Sequence, residues 1–285
     1  MRIVLSPAKK MRVDPDSLAS VSTPVFLSKA EEILCWMRTL SYAEAKRLWA
    51  CNDKIAEENY ARLQKMDLQN IAMLTPAILS YDGIAFQYMA PAVFEDGQFD
   101  YIQEHLRILS GFYGVLKPMD GVTPYRLEMQ AKAKVAGTGN LYEYWGDTLY
   151  KEVRDDGGVI INLASKEYSR CIEKYLQPED RFITCIFGEL ENGRVVQKGV
   201  YAKMARGDMV RFMAEHQIED PEAIKAYDRM HYHFSADRSS ETEYVFIREN
   251  NHENSGNDLP AACAMGAQLE GKENDCKESG CQTSE

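Results

Sequence analysis

Ser6 and Lys9 stand three residues apart just after the first apolar run, the spacing with which a lysine serves a serine nucleophile in penicillin-recognising enzymes. Here the pair follows a strand directly, and no Ser-Asp-Asn or Lys-Thr-Gly partner lies downstream. The reading that fits is a loop serine capping a turn, with Lys9 as an anion contact. Arg126 and Glu128 lie two residues apart behind the rigid Thr123-Pro124 turn, so an extended backbone sets both charges on one face. There they clamp a ligand or pair with each other. Lys198, Lys203, Arg206 and Arg211 run from an expected strand into an expected helix with Gly207 in its early turn. Bases beside the free amides of a helix N-terminus make a phosphate site.

Other groupings carry less chemistry. His231 and His233 share a face if extended, but with no carboxylate pair or cysteine beside them they read as ordinary histidines. Cys276 and Cys281 lack the histidine or second cysteine pair that a zinc site needs. Gly137-Thr138-Gly139 has neither the preceding strand nor the third glycine of a dinucleotide fingerprint. Gly111-x-x-Gly114, within the segment 108–116, is a weak match to backbone-gripping loops of nucleic-acid-binding modules. No metal and no cofactor is expected.

Three short apolar runs must position these residues. Arg2 to Leu5 stops at Ser6, Leu106 to Leu109 stops at Ser110, and Val159 to Leu163 leads through Ala164 to Ser165. Each is plausible as a strand buried on both faces, and if they lie parallel their carboxyl ends meet at one edge of a sheet, where open α/β sheets bind ligands. Helical patterning is expected at about 28–38, 41–49, 52–66, 76–81, 98–106, 141–154, 166–175, 206–217 and 221–229. Asn192-Gly193 joins Phe182 to Leu190 and Arg194 to Lys203 as a tight hairpin. The fold class is therefore mixed α/β (α+β): a compact single body with a mixed sheet flanked by helices and a cationic cleft.

Composition sets the outer limits. A chain of 285 residues with 45% apolar content suits one large domain, assigned to 1–250. Residues 251–285 lack aromatics and periodicity and read as a disordered acidic tail. Their seven acids against two bases account for −5 of the net charge of −11, which leaves the body near −6 and open to local basic patches. The opening MRIVLSPAKK is no signal peptide, and no run approaches the roughly 18 apolar residues of a membrane span. Seven cysteines without a framework suggest free thiols in a reducing compartment. A cytoplasmic protein with no membrane partner is expected.

The segments LSPAK, TPAILSYDG, ILSGFYGVLKPMDGVTPYRLEM, LYEYWG, INLASKEY and KMARGDMVRFM, in this order, resemble the YaaA family of peroxide stress resistance proteins over residues 1 to 249. The resemblance implies a cytoplasmic protein induced by hydrogen peroxide that limits damage from free intracellular iron and binds DNA. It also implies a compact mixed α/β fold with a positively charged cleft and a helix-hairpin-helix-like element, and it brings no catalytic set. Lys9, Tyr81, Asp82, Ser110, Tyr113, Arg126, Glu128, Asn162, Ser165, Lys203 and Arg206 occupy the family's motif positions. Gln130, where glycine is expected, and Met204, within the basic stretch, depart from its pattern.

Two expectations follow. In the first, Lys9, Arg126, Lys203 and Arg206 neutralise DNA phosphates while Tyr113 or Tyr125 stacks on bases, with Ser6 and the other motif residues lining the cleft. In the second, the chain is an enzyme acting on a nucleotide or nucleobase-like small molecule, with Arg126 and Lys203 holding an anionic group and Asp82 or Glu128 supplying acid/base function.

Overall fold

The computed structural model describes residues 1–14, 16–69 and 74–249; the expected tail at 251–285 lies outside the described residues. The strands are β1 Arg2–Leu5, β2 Thr75–Pro76, β3 Leu106–Ser110, β4 Gly114–Leu116, β5 Gly121–Val122, β6 Val159–Leu163, β7 Arg181–Glu191, β8 Arg194–Val196, β9 Tyr232–Phe234 and β10 Glu243–Arg248. The helices are α1 Leu27–Arg38, α2 Tyr42–Trp49, α3 Asp53–Lys65, α4 Ala77–Ser80, α5 Ile84–Met89, α6 Asp96–His105, α7 Leu141–Trp145, α8 Thr148–Val153, α9 Lys166–Glu173 and α10 Gly199–Glu215.

The three apolar runs form the heart of an eight-stranded mixed sheet, ordered β4-β3-β1-β6-β7-β10-β9 with β8 beside β7. β3, β1, β6, β7 and β10 are mutually parallel, and antiparallel strands close both edges. Ile3 sits opposite Leu106 on one side and Ile161 on the other, all fully buried. Strands covered on both faces carry unbroken apolar sequence, which is why these runs show no alternation. The chain leaves β1 toward β3 and leaves β6 toward β7, so the winding reverses between β1 and β6. A crevice opens outside the carboxyl ends of two such strands, because their following loops diverge.

α10 departs from the sequence expectation. The expected strand 194–203 stops at Val196, and the helix starts at Gly199 rather than 206. Buried Ala202, Ala205, Met209 and Phe212 recur at helical spacing, and that stripe outweighs the hairpin's claim on the segment. Asn192 and Gly193 both have positive φ, the backbone a two-residue hairpin turn demands. Gly207 is therefore in mid-helix, where a Cβ would lie 1.8 Å from the carbonyl oxygen of Ala85. Its role is the close approach of α10 to α5, not an opening at a helix N-terminus.

Smaller corrections have local causes. The expected 141–154 helix divides into α7 and α8 at Gly146, whose φ of 53° interrupts the helical backbone. The 221–229 segment is a 3-10 helix over Pro221–Ala226, capped by the Asp220 side chain on the amide of Glu222. The short α5 after Gly83 was not expected. The segment 108–116 is the β3-β4 hairpin, with Gly111, Phe112 and Tyr113 buried in its turn, so it presents no exposed loop to a phosphate. Ser41 caps α2 through the expected reciprocal bonds with Glu44.

Candidate functional site

Ser6 ends β1 and Ser165 follows β6, and the two loops are tied together where the winding reverses. The Ser165 amide donates to Ser6 Oγ at 2.8 Å, and the two hydroxyls lie 3.1 Å apart. Around this tie opens a cleft of about 410 Å³, a size suited to a small molecule. Its walls are Ser6 to Lys10 after β1, Asp82 to Phe86 at the start of α5, Tyr125 to Glu128, Leu163, Ser165, Glu167 and Tyr168, and Lys203 and Arg206 on α10. Five stretches of chain distant in sequence converge here because parallel strands end at one edge and α10 crosses α5.

The cleft holds five cations against three carboxylates. Lys10 Nζ pairs with Asp82 at 2.6 Å. Lys9 Nζ approaches Glu128 at 2.8 Å, while Arg126 reaches the same carboxylate at 3.7 Å. The Arg126–Glu128 pair expected from spacing is thus shared with Lys9 and loose on the arginine side. Lys203 has no hydrogen-bond or ion-pair partner among the described residues, and Arg206 touches only the amide oxygen of Gln197, at 3.5 Å. The Nε atoms of Arg126 and Arg206 are buried without partners. Burial lowers the pKa of the Arg206 guanidinium, because desolvation disfavours its charge. An uncompensated buried guanidinium N–H costs about 1–3 kcal/mol.

Below the cleft lies a rigid polar layer. Ser110 Oγ accepts from the amides of Phe112 and Tyr113 at 3.2 and 2.8 Å, which occupies both its lone pairs. Its proton therefore goes to Tyr125 OH, 2.6 Å away, and Tyr125 OH shares a further bond with Tyr81 OH at 2.9 Å. Burial pushes the Tyr125 phenol up to about 12 and the Tyr81 and Tyr113 phenols up as well. Asn162 accepts from the Ala164 amide at 2.9 Å and donates to Thr184 Oγ1 at 3.2 Å, which shapes the turn that delivers Ser165.

Of the residues singled out from sequence, Ser6, Lys9, Asp82, Tyr125, Arg126, Glu128, Ser165, Lys203 and Arg206 come together around one cavity. Tyr81, Ser110, Tyr113 and Asn162 do not reach it; all four are buried, and they hold the floor. Tyr113, 1% exposed, does not reach the cleft, and Tyr125, 6% exposed, shows the cleft only a small part of its surface, so neither ring stands out as a platform for a base. Their rings pack on Phe112 and on each other at centroid distances of 4.8 to 5.4 Å. Lys198 pairs with Glu191 and Arg211 with Glu215, so only two of the four bases near α10 face the cleft.

Sequence reasoning passed over Lys10, Glu167 and Tyr168. Glu167 is half-buried in the first turn of α9, and its Oε1 accepts from the Gln130 amide at 3.2 Å. Burial raises its pKa, and the charge of Glu128 adds to that, against the pull of the Gln130 amide and Lys9. The signal was present in its position two residues past the serine that follows a central strand. Among the described residues, no group of three or more His, Cys, Asp or Glu side chains is placed to hold a metal, and no helix is long and apolar enough to cross a membrane.

Comparison with known proteins adds an independent line. The sequence profile of the family described as peroxide stress protein YaaA matches residues 1–238. A UPF0246 protein of Agathobacter rectalis is 61% identical over 249 residues, which cover 87% of this chain and 99% of that protein. UPF0246 proteins of Lachnoclostridium phytofermentans and Pediococcus pentosaceus are 51% and 50% identical over 87% and 88% of this chain and 96% and 100% of their own lengths.

Proposed function

The chain belongs to the peroxide stress protein YaaA family, and from that premise we propose that it works by binding a phosphate-bearing small molecule of nucleotide or nucleobase-like type in the cleft. One observation carries the reading: Lys203 and Arg206 face a concave site with no carboxylate partner among the described residues, while Arg126 is only loosely paired. Cations left unneutralised in a partly buried site attract an anion, and a guanidinium fork matches phosphate geometry. The cavity volume favours a small ligand over a duplex groove. Limiting damage from free iron in the cytoplasm is then the outcome of that binding in the stressed cell.

A second reading, contact with DNA, is favoured by Lys9, Lys10 and Lys203, all exposed at the mouth. With no exposed aromatic ring among the residues that line the cleft, such contact runs mainly through phosphates and weakens steeply with salt. Calorimetric titration with AMP, and fluorescence titration with single- and double-stranded oligonucleotides at low and near-physiological salt, separate the two. The Lys203→Ala/Arg206→Ala protein removes two charge-assisted contacts of about 1.5–3 kcal/mol each, a loss of about 100-fold or more in AMP affinity. Salt-sensitive oligonucleotide binding without AMP binding replaces the first reading by the second.

A further inference from the structure

Glu128 separates the cleft from a second cavity, of about 650 Å³, and lines both. One stretch of chain walls the two: Arg126, Leu127 and Glu128 face the first, and Glu128, Gln130, Ala131 and Lys132 face the second. From Arg126 to Gln130 that stretch spans at most about 14 Å. We propose, resting on the ligand reading above, that the second cavity is a further subsite of the same cleft and that the ligand is a dinucleotide. Its terminal phosphate lies at Lys203 and Arg206, its first nucleoside fills the first cavity, and its second base rests on Trp36.

The aromatic side chains of the two cavities differ in what they offer a base. Those that line the first, Phe86, Tyr125 and Tyr168, are 4%, 6% and 6% exposed, so that cavity holds phosphate and sugar well but presents no open ring. The second is walled by the end of α1 and by α2, where the half-buried Trp36 lies with the part-exposed Leu40 and Leu48. An indole with aliphatic neighbours is a stacking platform for a base of any identity. Trp49 closes this wall, and its indole Nε1 is buried with no acceptor among the described residues.

Charge follows the same path. At the partition, Lys9 and Arg126 share the single carboxylate of Glu128, which leaves net positive charge where the internucleotide phosphate crosses. Beyond it, the exposed side chains of Arg47 and Lys132 have no hydrogen bond or ion pair among the described residues. The other carboxylate there, Glu44, is committed to the cap of α2, where it accepts from the amide and hydroxyl of Ser41 at 2.8 and 2.7 Å. Unneutralised cations thus run from Lys203 and Arg206, past the partition, to Arg47 and Lys132, and an anion with two phosphates and two bases complements that order.

Calorimetric titration of the full chain with AMP, with the 5′-phosphorylated dinucleotide pApA and with 5′-phosphorylated octaadenylate tests the proposal. The dinucleotide is expected to bind about 10-fold or more tightly than AMP, the gain from one stacked base, and octaadenylate no more tightly than pApA. Trp36→Ala is expected to lower the pApA-to-AMP affinity ratio by about 10-fold. Arg47→Ala/Lys132→Ala, which alters only exposed side chains and so keeps the fold, is expected to lower the ratio as well. A ratio near one in the wild type, or one that survives either variant, overturns the proposal and leaves the ligand reading intact, since AMP still binds. Octaadenylate binding tighter than pApA puts a nucleic-acid strand in the two cavities and overturns the dinucleotide. Absence of both AMP and pApA binding overturns the ligand reading and the proposal with it.

Discussion

Gly207→Ala places a methyl group where the structure has none to spare. The new Cβ meets the Ala85 carbonyl oxygen at 1.8 Å, its carbon at 2.7 Å and the Ala85 Cα at 2.9 Å. All three are backbone atoms, so no side chain can swing aside. An ordinary carbon–oxygen contact is about 3.3 Å, so α10 and α5 must part by about 1.5 Å or bend. Overpacking of this kind costs about 1–3 kcal/mol, and in a body of this size each kcal/mol lowers Tm by about 2–4 °C. The expected loss is about 2–12 °C by calorimetry. Gly199→Ala is the control: it lies in the same helix with nothing within 4 Å of the added methyl, and it is expected to leave Tm unchanged or slightly raised. Because α10 carries Lys203 and Arg206 while α5 forms the facing wall, Gly207→Ala is also expected to weaken AMP binding at temperatures where it stays folded. An unchanged Tm refutes the claim that this glycine sets the spacing of the cleft walls.

Other expectations are simpler. Burial pushes the thiols of Cys171 and Cys185 up to about 12, so among the cysteines of the described residues a thiol reagent is expected to label exposed Cys35 in the native protein and these two only on unfolding; fast labelling of either refutes their burial. Glu222, bonded to Lys225, Arg181 and Tyr244, is held at about 2 against a model-compound value of 4.5. Its pKa is depressed by folding, so its stabilisation is present above about 4.5 and is lost as pH falls toward 2. The Tm gap between wild type and Glu222→Gln is therefore expected to close across that interval, and a gap independent of pH refutes the assignment. Ser6→Ala removes the acceptor of the Ser165 amide and is expected to cost about 1–3 kcal/mol in urea unfolding, with loss of AMP binding. Retention of full affinity refutes a shaping role for the tie.

The sheet and the cleft were legible to different degrees for physical reasons. Arg2 to Leu5, Leu106 to Leu109 and Val159 to Leu163 announced themselves because buried parallel strands must be continuously apolar, and their shared exit at serine pointed to one edge. Lys203 was assigned to a strand because Asn192-Gly193 is a strong local signal, whereas the stripe through Ala202, Ala205 and Met209 that makes α10 needs partners far away in sequence. Tyr81, Ser110, Tyr113 and Asn162 look alike, as polar groups near strand ends, whether they face a ligand or support the residues that do. Only the third dimension separates a hydroxyl bonded to a neighbouring tyrosine from one open to solvent. Glu167 was overlooked because a glutamate in the first turn of a helix is ordinarily a surface residue that complements the helix dipole.

The tie between Ser6 and Ser165 spans 159 positions of chain. At a synthesis rate of about 5–20 residues per second, the first strand emerges roughly 8–30 s before its partner across the tie. Through that interval Ile3, Val4 and Leu5, destined for the middle of the sheet, have β3 as their earliest parallel neighbour, and until β6 arrives one edge of β1 stays open. A nascent chain of this protein thus presents an apolar, unpaired strand edge early and completes its cleft late. Premature termination before residue 165 yields a fragment with half of the crevice and none of α10.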